Sequence, residues 1–258
     1  MSEQVVQAGS PKTISRGRKL TFEIFRYNPE DPASEPHIDT FELNEAPYMS
    51  LFLALNEIRE KQDPSLQFDF VCRSAVCGSC AMMVNGVPRW TCRTHVSKVL
   101  KDGALHVGPL RNLPVIRDLV VDMDPFFDKW VAAEGVHHCT RTRDDEIAPI
   151  DETSPARVEA NSGIECINCS VCYAACDTVA GNPDYLGPAP LLRAWTLLND
   201  AKDDGRVAIL DAVSGSGGCH NCHSMGSCTA YCPNELDPMS AIAGLKRETM
   251  KHALRRGK

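Results

Sequence analysis

Thirteen cysteines, twelve of them in three tight groups, limit this 258-residue chain more than any other feature of its sequence. The groups are Cys72, Cys77, Cys80 and Cys92, then Cys166, Cys169, Cys172 and Cys176, then Cys219, Cys222, Cys228 and Cys232, with Cys139 standing apart. The first residues, Met1 to Lys19, lack an apolar segment followed by a small-residue cleavage site, so nothing marks export. In a reducing compartment, thiols at such short spacings serve metals rather than disulfides. An odd total also prevents complete pairing within the chain.

Cys72-x4-Cys77-x2-Cys80 followed at a distance by Cys92 is the spacing of a plant-type 2Fe-2S site. Four thiolates must converge there on a compact anionic core, and Gly78 and Ser79 leave backbone N–H groups room to approach its sulfurs. A zinc site also accepts four thiolates, but its paired C-x2-C knuckles are not what Cys72 and Cys77 offer. A Rieske centre needs two histidines, and His95 is a lone candidate, read as a surface or supporting residue.

Cys166-x2-Cys169-x2-Cys172-x3-Cys176 is the bacterial ferredoxin run, whose fourth cysteine serves the other cluster of a pair, so one run predicts a second. Counted from Cys222, the same register falls on Met225, Cys228 and Cys232, followed by Pro233. Crossing the fourth cysteines gives Cys166, Cys169, Cys172 and Cys232 as a complete 4Fe-4S set. Cys176, Cys222 and Cys228 form the other. Three thiolates and a weakly ligating thioether leave one corner unheld, which predicts a 3Fe-4S cluster. Cys139 and Cys219 are read as ordinary thiols, although Cys219-x2-Cys222 would let Cys219 act as an alternative ligand.

The expected fold is α+β in two units. Leu20, Phe22 and Ile24 alternate along a strand from Lys19 to Tyr27, with Ile38 to Leu43 as its antiparallel partner. Leu51, Phe52, Leu55 and Ile58 recur at helical spacing behind a Ser50 cap, and Asn85-Gly86 predicts a tight hairpin turn. These place an α+β unit at residues 19–115. A connecting segment follows at 116–155, with the boundary set in the Arg-, Asp- and Glu-rich stretch around 140–160, and a mainly helical unit at 156–258. Within that second unit, Leu191, Leu192, Trp195 and Leu198 mark one helix face, Asp237-Pro238 marks the start of another helix, and Val213 to Gly218 reads as a flexible connection. Apolar runs are far shorter than the roughly 20 residues that span a bilayer. A net charge of −7 and pI near 5.6 disfavour a general nucleic-acid binder.

The loop Cys72-Arg73-Ser74-Ala75-Val76-Cys77-Gly78-Ser79-Cys80, together with both later runs, resembles the iron-sulfur subunit of succinate dehydrogenases and fumarate reductases, over about residue 19 to the end. The resemblance implies a β-grasp plant-type ferredoxin domain followed by a helical domain like bacterial ferredoxins. It implies a flavoprotein partner with covalent FAD, where succinate and fumarate interconvert, and a transmembrane quinone-binding anchor, which in some cases holds haem b. This chain would be the wire between them, held peripherally at the cytoplasmic face of the inner membrane, with no substrate bond broken on it. The segment Pro36-His37 through Arg59 is most similar to fumarate reductases of anaerobic, menaquinone-using bacteria. Gly181, where ubiquinone-linked relatives carry a tryptophan, agrees with that, as does Asp177 in place of a common proline. His223 after Cys222 instead resembles succinate dehydrogenases, so the direction stays open. Lys246 matches a basic residue near the quinone in some members, in a tail (Arg247, Lys251, Arg255, Arg256, Lys258) that also suits anionic headgroups. A stand-alone multi-cluster ferredoxin and a zinc-stapled module are the alternatives.

Overall fold

The computed structural model describes residues 17–147 and 149–256, so Lys258 of the basic tail and residues 1–16 lie outside the described part. The chain begins with β1 (Lys19–Arg26) and β2 (His37–Asn44), an antiparallel pair in the register Phe22 with Phe41. Leu20, Phe22 and Ile24 are fully buried on one face of β1, as their alternation requires. Next comes α1 (Leu51–Lys61), whose cap forms as expected: Ser50 Oγ accepts from the Leu53 N–H at 3.3 Å.

The strands β3 (Ala81–Val84) and β4 (Val87–Trp90) form a hairpin. Asn85 at φ 50° and Gly86 at φ 79° occupy its turn, the left-handed pair that a two-residue connection needs. A single helical turn α2 (Val96–Val99) leads to β5 (Ala104–Gly108), parallel to β1 and antiparallel to β3, which completes a mixed sheet of order β2-β1-β5-β3-β4. A small ribbon, β6 (Val115–Arg117) and β7 (Val120–Val121), follows.

Residues 116–155, expected as a connecting segment, carry more order than a connection needs. Asp118, between β6 and β7, is buried, with its carboxylate accepting from the Tyr27 and Gln67 N–H groups and facing Arg26. Arg26 is itself buried, and it also meets Asp39, Asp63 and Ser65. Helix α3 (Asp124–Ala132) then inserts Phe126 edge-on against Tyr173 at a centroid distance of 5.4 Å.

The rest is helical: α4 (Pro155–Ile164), α5 (Val171–Ala174), α6 (Asp177–Gly181), α7 (Pro188–Leu198), α8 (Arg206–Ser214), α9 (Ser227–Ala230) and α10 (Pro238–Arg256). Helix α7 is buried nearly all round, and the Gly244 backbone of α10 approaches the Trp195 ring so closely that a Cβ would lie 2.5 Å away. Asp237 Oδ1 accepts from the Ser240 N–H at 3.1 Å at the start of α10. The stretch Val213 to Gly218 is not flexible from its start. Val213 and Ser214 close α8, and Val213 is fully buried, because the apolar face of that helix outweighs the Gly and Ser that follow. Among the described residues no helix is long and apolar enough to cross a membrane.

Two apolar clusters result. One lies between α1 and the sheet. The other gathers the C-terminal helices and reaches back to Cys80, Ala81, Met83, Trp90, Leu110 and Leu113 of the sheet unit. Strand β3 is buried on both faces: Met82 and Val84 enter the first cluster, Ala81 and Met83 the second.

Candidate iron-sulfur sites

The first cysteine loop turns on three residues at positive φ, Arg73 at 56°, Ala75 at 65° and Gly78 at 75°, which curl its backbone N–H groups inward. The Cys72 sulfur accepts from the Ser74, Val76 and Cys77 N–H groups at 3.3 to 3.4 Å, and these bonds bring its pKa down to about 6. Cys77 Sγ lies 3.1 Å from Ser79 Oγ. Cys80 is buried at the start of β3, and Cys92 lies in a 3-10 turn beyond β4. Burial, followed by the neighbouring Cys80 thiol, pushes Cys92 up to about 11.

The two later runs share one backbone path. Asn168 and Ser170 take φ of 58° and 54°, two and four residues after Cys166; Ser224 and Gly226 take 58° and 80° at the same offsets from Cys222. A one-turn helix follows each, α5 and α9, and the last cysteine of each run comes just after. Met225 thus stands in the second run where Cys169 stands in the first.

One cavity is lined by Cys166, Cys169, Cys172 and Cys232, with Trp90, Ile167 and Leu192 among the apolar walls. A second is lined by Cys176, Cys222 and Cys228, with Tyr185, Met225 and Ile242. In each, a cysteine from one run closes the cavity of the other. Burial pushes Cys169 up to about 11, opposed by the Val171 N–H and by the Trp90 indole beside it, and it raises Cys228 to about 11 and Cys172 well above the usual thiol range. Burial thus opposes the thiolate form at Cys166, Cys169, Cys172 and Cys228. Thiolates here need a positive centre between them, and ferric or ferrous iron in a sulfide core supplies one, so the donor sets fit iron-sulfur clusters. Among the described residues no three His, Cys, Asp or Glu side chains are close enough to hold a single ion.

The sites are neighbours. A Cβ on Gly78 would lie 2.6 Å from Cys169 Cβ, so the first loop rests directly on the second run. Asn112 Nδ2 fastens the units again, donating to the Tyr173 carbonyl at 2.9 Å and the Cys176 carbonyl at 3.2 Å.

The remaining candidates divide. His223 is exposed at the rim of the second cavity beside Met225, which is 63% exposed. Lys246 Nζ donates to the Cys222 carbonyl at 2.7 Å, which ties α10 to the same run. Cys219 is fully buried, 3.8 Å from Thr249 Oγ1, and does not line the cavity of Cys222. Cys139 is exposed, its thiol donating to the Arg141 carbonyl. His95 is half-buried behind α2, Trp195 donates from Nε1 to Glu159, and His220 pairs with Thr249. Sequence reasoning passed over Trp90 and Tyr185, whose place in the cavity walls depends on long-range packing and leaves no local signal.

Residues 21–128 match the model of a 2Fe-2S iron-sulfur cluster binding domain, and residues 165–237 that of a 4Fe-4S dicluster domain. The chain is 35% identical over 240 residues to the fumarate reductase iron-sulfur subunit of Wolinella succinogenes, covering 90% of this chain and 98% of that one. It is 33% identical to the mitochondrial succinate dehydrogenase [ubiquinone] iron-sulfur subunit 1 of Oryza sativa, covering 88% and 81%. In fold it is similar to a chain of the Mycobacterium smegmatis Sdh1 complex in the apo form, with TM-score 0.78, 21% identity and coverage of 92% and 98%.

Proposed function

We propose, from the premise that this chain belongs to the iron-sulfur subunits of fumarate reductases and succinate dehydrogenases, that it carries single electrons between a flavoprotein and a membrane quinone. The observation that supports this most is the pair of cavities ringed by crossed cysteine sets, one of them touching the first loop through Gly78 and Cys169. When bound, a 2Fe-2S, a 4Fe-4S and a 3Fe-4S cluster supply one-electron carriers whose potentials follow cluster type, hydrogen bonding and burial.

On this reading Cys72, Cys77, Cys80 and Cys92 hold the two-iron centre, and Cys166, Cys169, Cys172 and Cys232 the four-iron centre. Cys176, Cys222 and Cys228 hold the three-iron centre. The N–H groups around Cys72 orient its sulfur and offset its negative charge. Trp90, Leu192 and Ile242 help keep water out of the cavities. Lys246 and His223 flank the last run, and on this reading the quinone of an anchor subunit approaches there, with Lys246 Nζ as the donor that would polarise its carbonyl. The partners are an FAD-containing subunit and a transmembrane anchor, with haem b in the anchor where the anchor supplies ligands. Menaquinone is the proposed quinone and the cytoplasmic face of the inner membrane the proposed location. An open Gly181, with nothing within 4 Å of a Cβ placed on it, offers no aromatic wall like the one ubiquinone-linked relatives carry.

The test is the complex purified with its partners. It should contain about nine irons per copy of this chain and matching labile sulfide, with an oxidised-state EPR signal of a three-iron centre. Zinc in place of iron, or oxidised protein with no such signal, refutes the assignment.

A further inference from the structure

Among the described residues, three buried side-chain nitrogen or oxygen atoms lack a hydrogen-bond partner: Arg26 Nε, Trp90 Nε1 and Tyr185 Oη. Arg26 Nε lies 3.2 Å from an Asp118 carboxylate oxygen, so its charge is answered. The other two are neutral donors. Trp90 is 6% exposed and Tyr185 1%. Leaving such a donor unmade inside a protein costs about 1–3 kcal/mol, so folded chains rarely do it without a reason.

Their positions supply the reason. Trp90 lies in the wall of the cavity of Cys166, Cys169, Cys172 and Cys232, its indole beside Cys169. Tyr185 lies in the wall of the cavity of Cys176, Cys222 and Cys228, its hydroxyl buried and without a hydrogen-bond partner. A phenol keeps its proton at neutral pH and is therefore a donor. Each C-terminal cavity therefore contains one buried donor that makes no geometrically formed hydrogen bond and whose nearest acceptor is a cysteine sulfur of that cavity, Cys169 for Trp90 and Cys222 for Tyr185. At Tyr185, phenylalanine would fill the same place in apolar terms without the hydroxyl.

We propose that Trp90 and Tyr185 each donate a hydrogen bond to sulfur of the cluster in their own cavity, and that each raises the reduction potential of that one centre. The inference rests on the cluster assignment above. The physical basis is charge: reduction adds an electron to the sulfur-rich core, and a fixed donor stabilises the more negative state more than the less negative one. Trp90 has a further consequence through its place in the chain. It ends β4 two residues before Cys92, so the strand that supports the two-iron loop also places the donor of the four-iron site.

The experiment is an EPR-monitored redox titration of the assembled complex carrying Trp90→Phe or Tyr185→Phe. Trp90→Phe should lower the midpoint of the four-iron centre and leave the three-iron centre in place; Tyr185→Phe should do the reverse. Normal signals with unchanged midpoints, or both centres shifting together in either variant, overturn the inference while leaving the cluster assignment standing. Wild-type complex lacking the four-iron or three-iron signal overturns both. If a variant does not assemble, pulsed EPR on wild-type complex containing 15N-indole tryptophan, exchanged into deuterium oxide, gives the same decision. A nitrogen coupling at the reduced four-iron centre and an exchangeable proton at the three-iron centre are expected, and absence of both refutes the proposal.

Discussion

Gly78→Ala tests whether the two-iron loop is seated on the four-iron run as described. Two costs combine at this position. Gly78 has φ 75°, and alanine in the left-handed region costs about 1–2 kcal/mol. The new Cβ would also lie 2.6 Å from Cys169 Cβ and 3.0 Å from its Cα, and relieving such overpacking costs about 1–3 kcal/mol more. Gly86 is the internal control: its φ is 79°, but nothing lies within 4 Å of a Cβ there, so Gly86→Ala carries the backbone cost alone. In a domain of this size each kcal/mol lowers the melting midpoint by roughly 2–4 °C. The expected losses are therefore about 2–8 °C for Gly86→Ala and about 4–20 °C for Gly78→Ala. Melting is followed on the loaded complex by visible absorbance and by far-ultraviolet circular dichroism. Only Gly78→Ala should also alter the magnetic interaction between the reduced two-iron and four-iron centres. Equal losses in the two variants, with that interaction unchanged, would show that Gly78 does not press on Cys169.

Met225→Cys places a thiol where Cys169 stands in the parallel run. It should convert the three-iron centre to four irons, with loss of the oxidised-state EPR signal and a lower midpoint; an unchanged spectrum would show that the register is wrong. Cys219→Ala should keep the full iron content, because Cys219 is directed to Thr249 and away from the cavity, and iron analysis decides it. At Asp63, burial acts to raise the pKa but the hydrogen bonds from Ser65 and Arg26 outweigh it, leaving the pKa below the usual carboxylate range. A carboxylate with a depressed folded pKa contributes stability above its unfolded value near about 3.9, lost as pH falls through the folded value. Asp63→Asn should therefore flatten the loss of stability below about pH 4 in urea titrations, and an unaltered slope would contradict it.

Local rules made much of this structure legible. The Asn85-Gly86 turn, the Ser50 cap and the Asp237 start of α10 depend on neighbours within four residues, and each forms where its residues predict. The register linking Cys222 to Cys166 was visible as spacing and reappears as matched left-handed residues. What escaped notice depends on partners far along the chain. Asp118 reads as a charged loop residue until Arg26, 92 positions earlier, folds beside it. Trp90 reads as an ordinary strand aromatic until helices from the other half of the chain form a cavity around it. Phe126 sits in the stretch 116–155 expected only to connect the two units, and contact with Tyr173 makes it core.

Strand β3 belongs to neither half alone. Its four side chains alternate between two interiors, so excising residues 19–115 as a minidomain would turn Ala81 and Met83, along with Trp90, Leu110 and Leu113, out into solvent. The two ferredoxin-like motifs look like interchangeable cassettes on paper, yet a shuffled version would need a donor whose sheet already wears a greasy second face. Lineages that recombine such parts should be expected to inherit this strand and its docking helices together, as one indivisible seam.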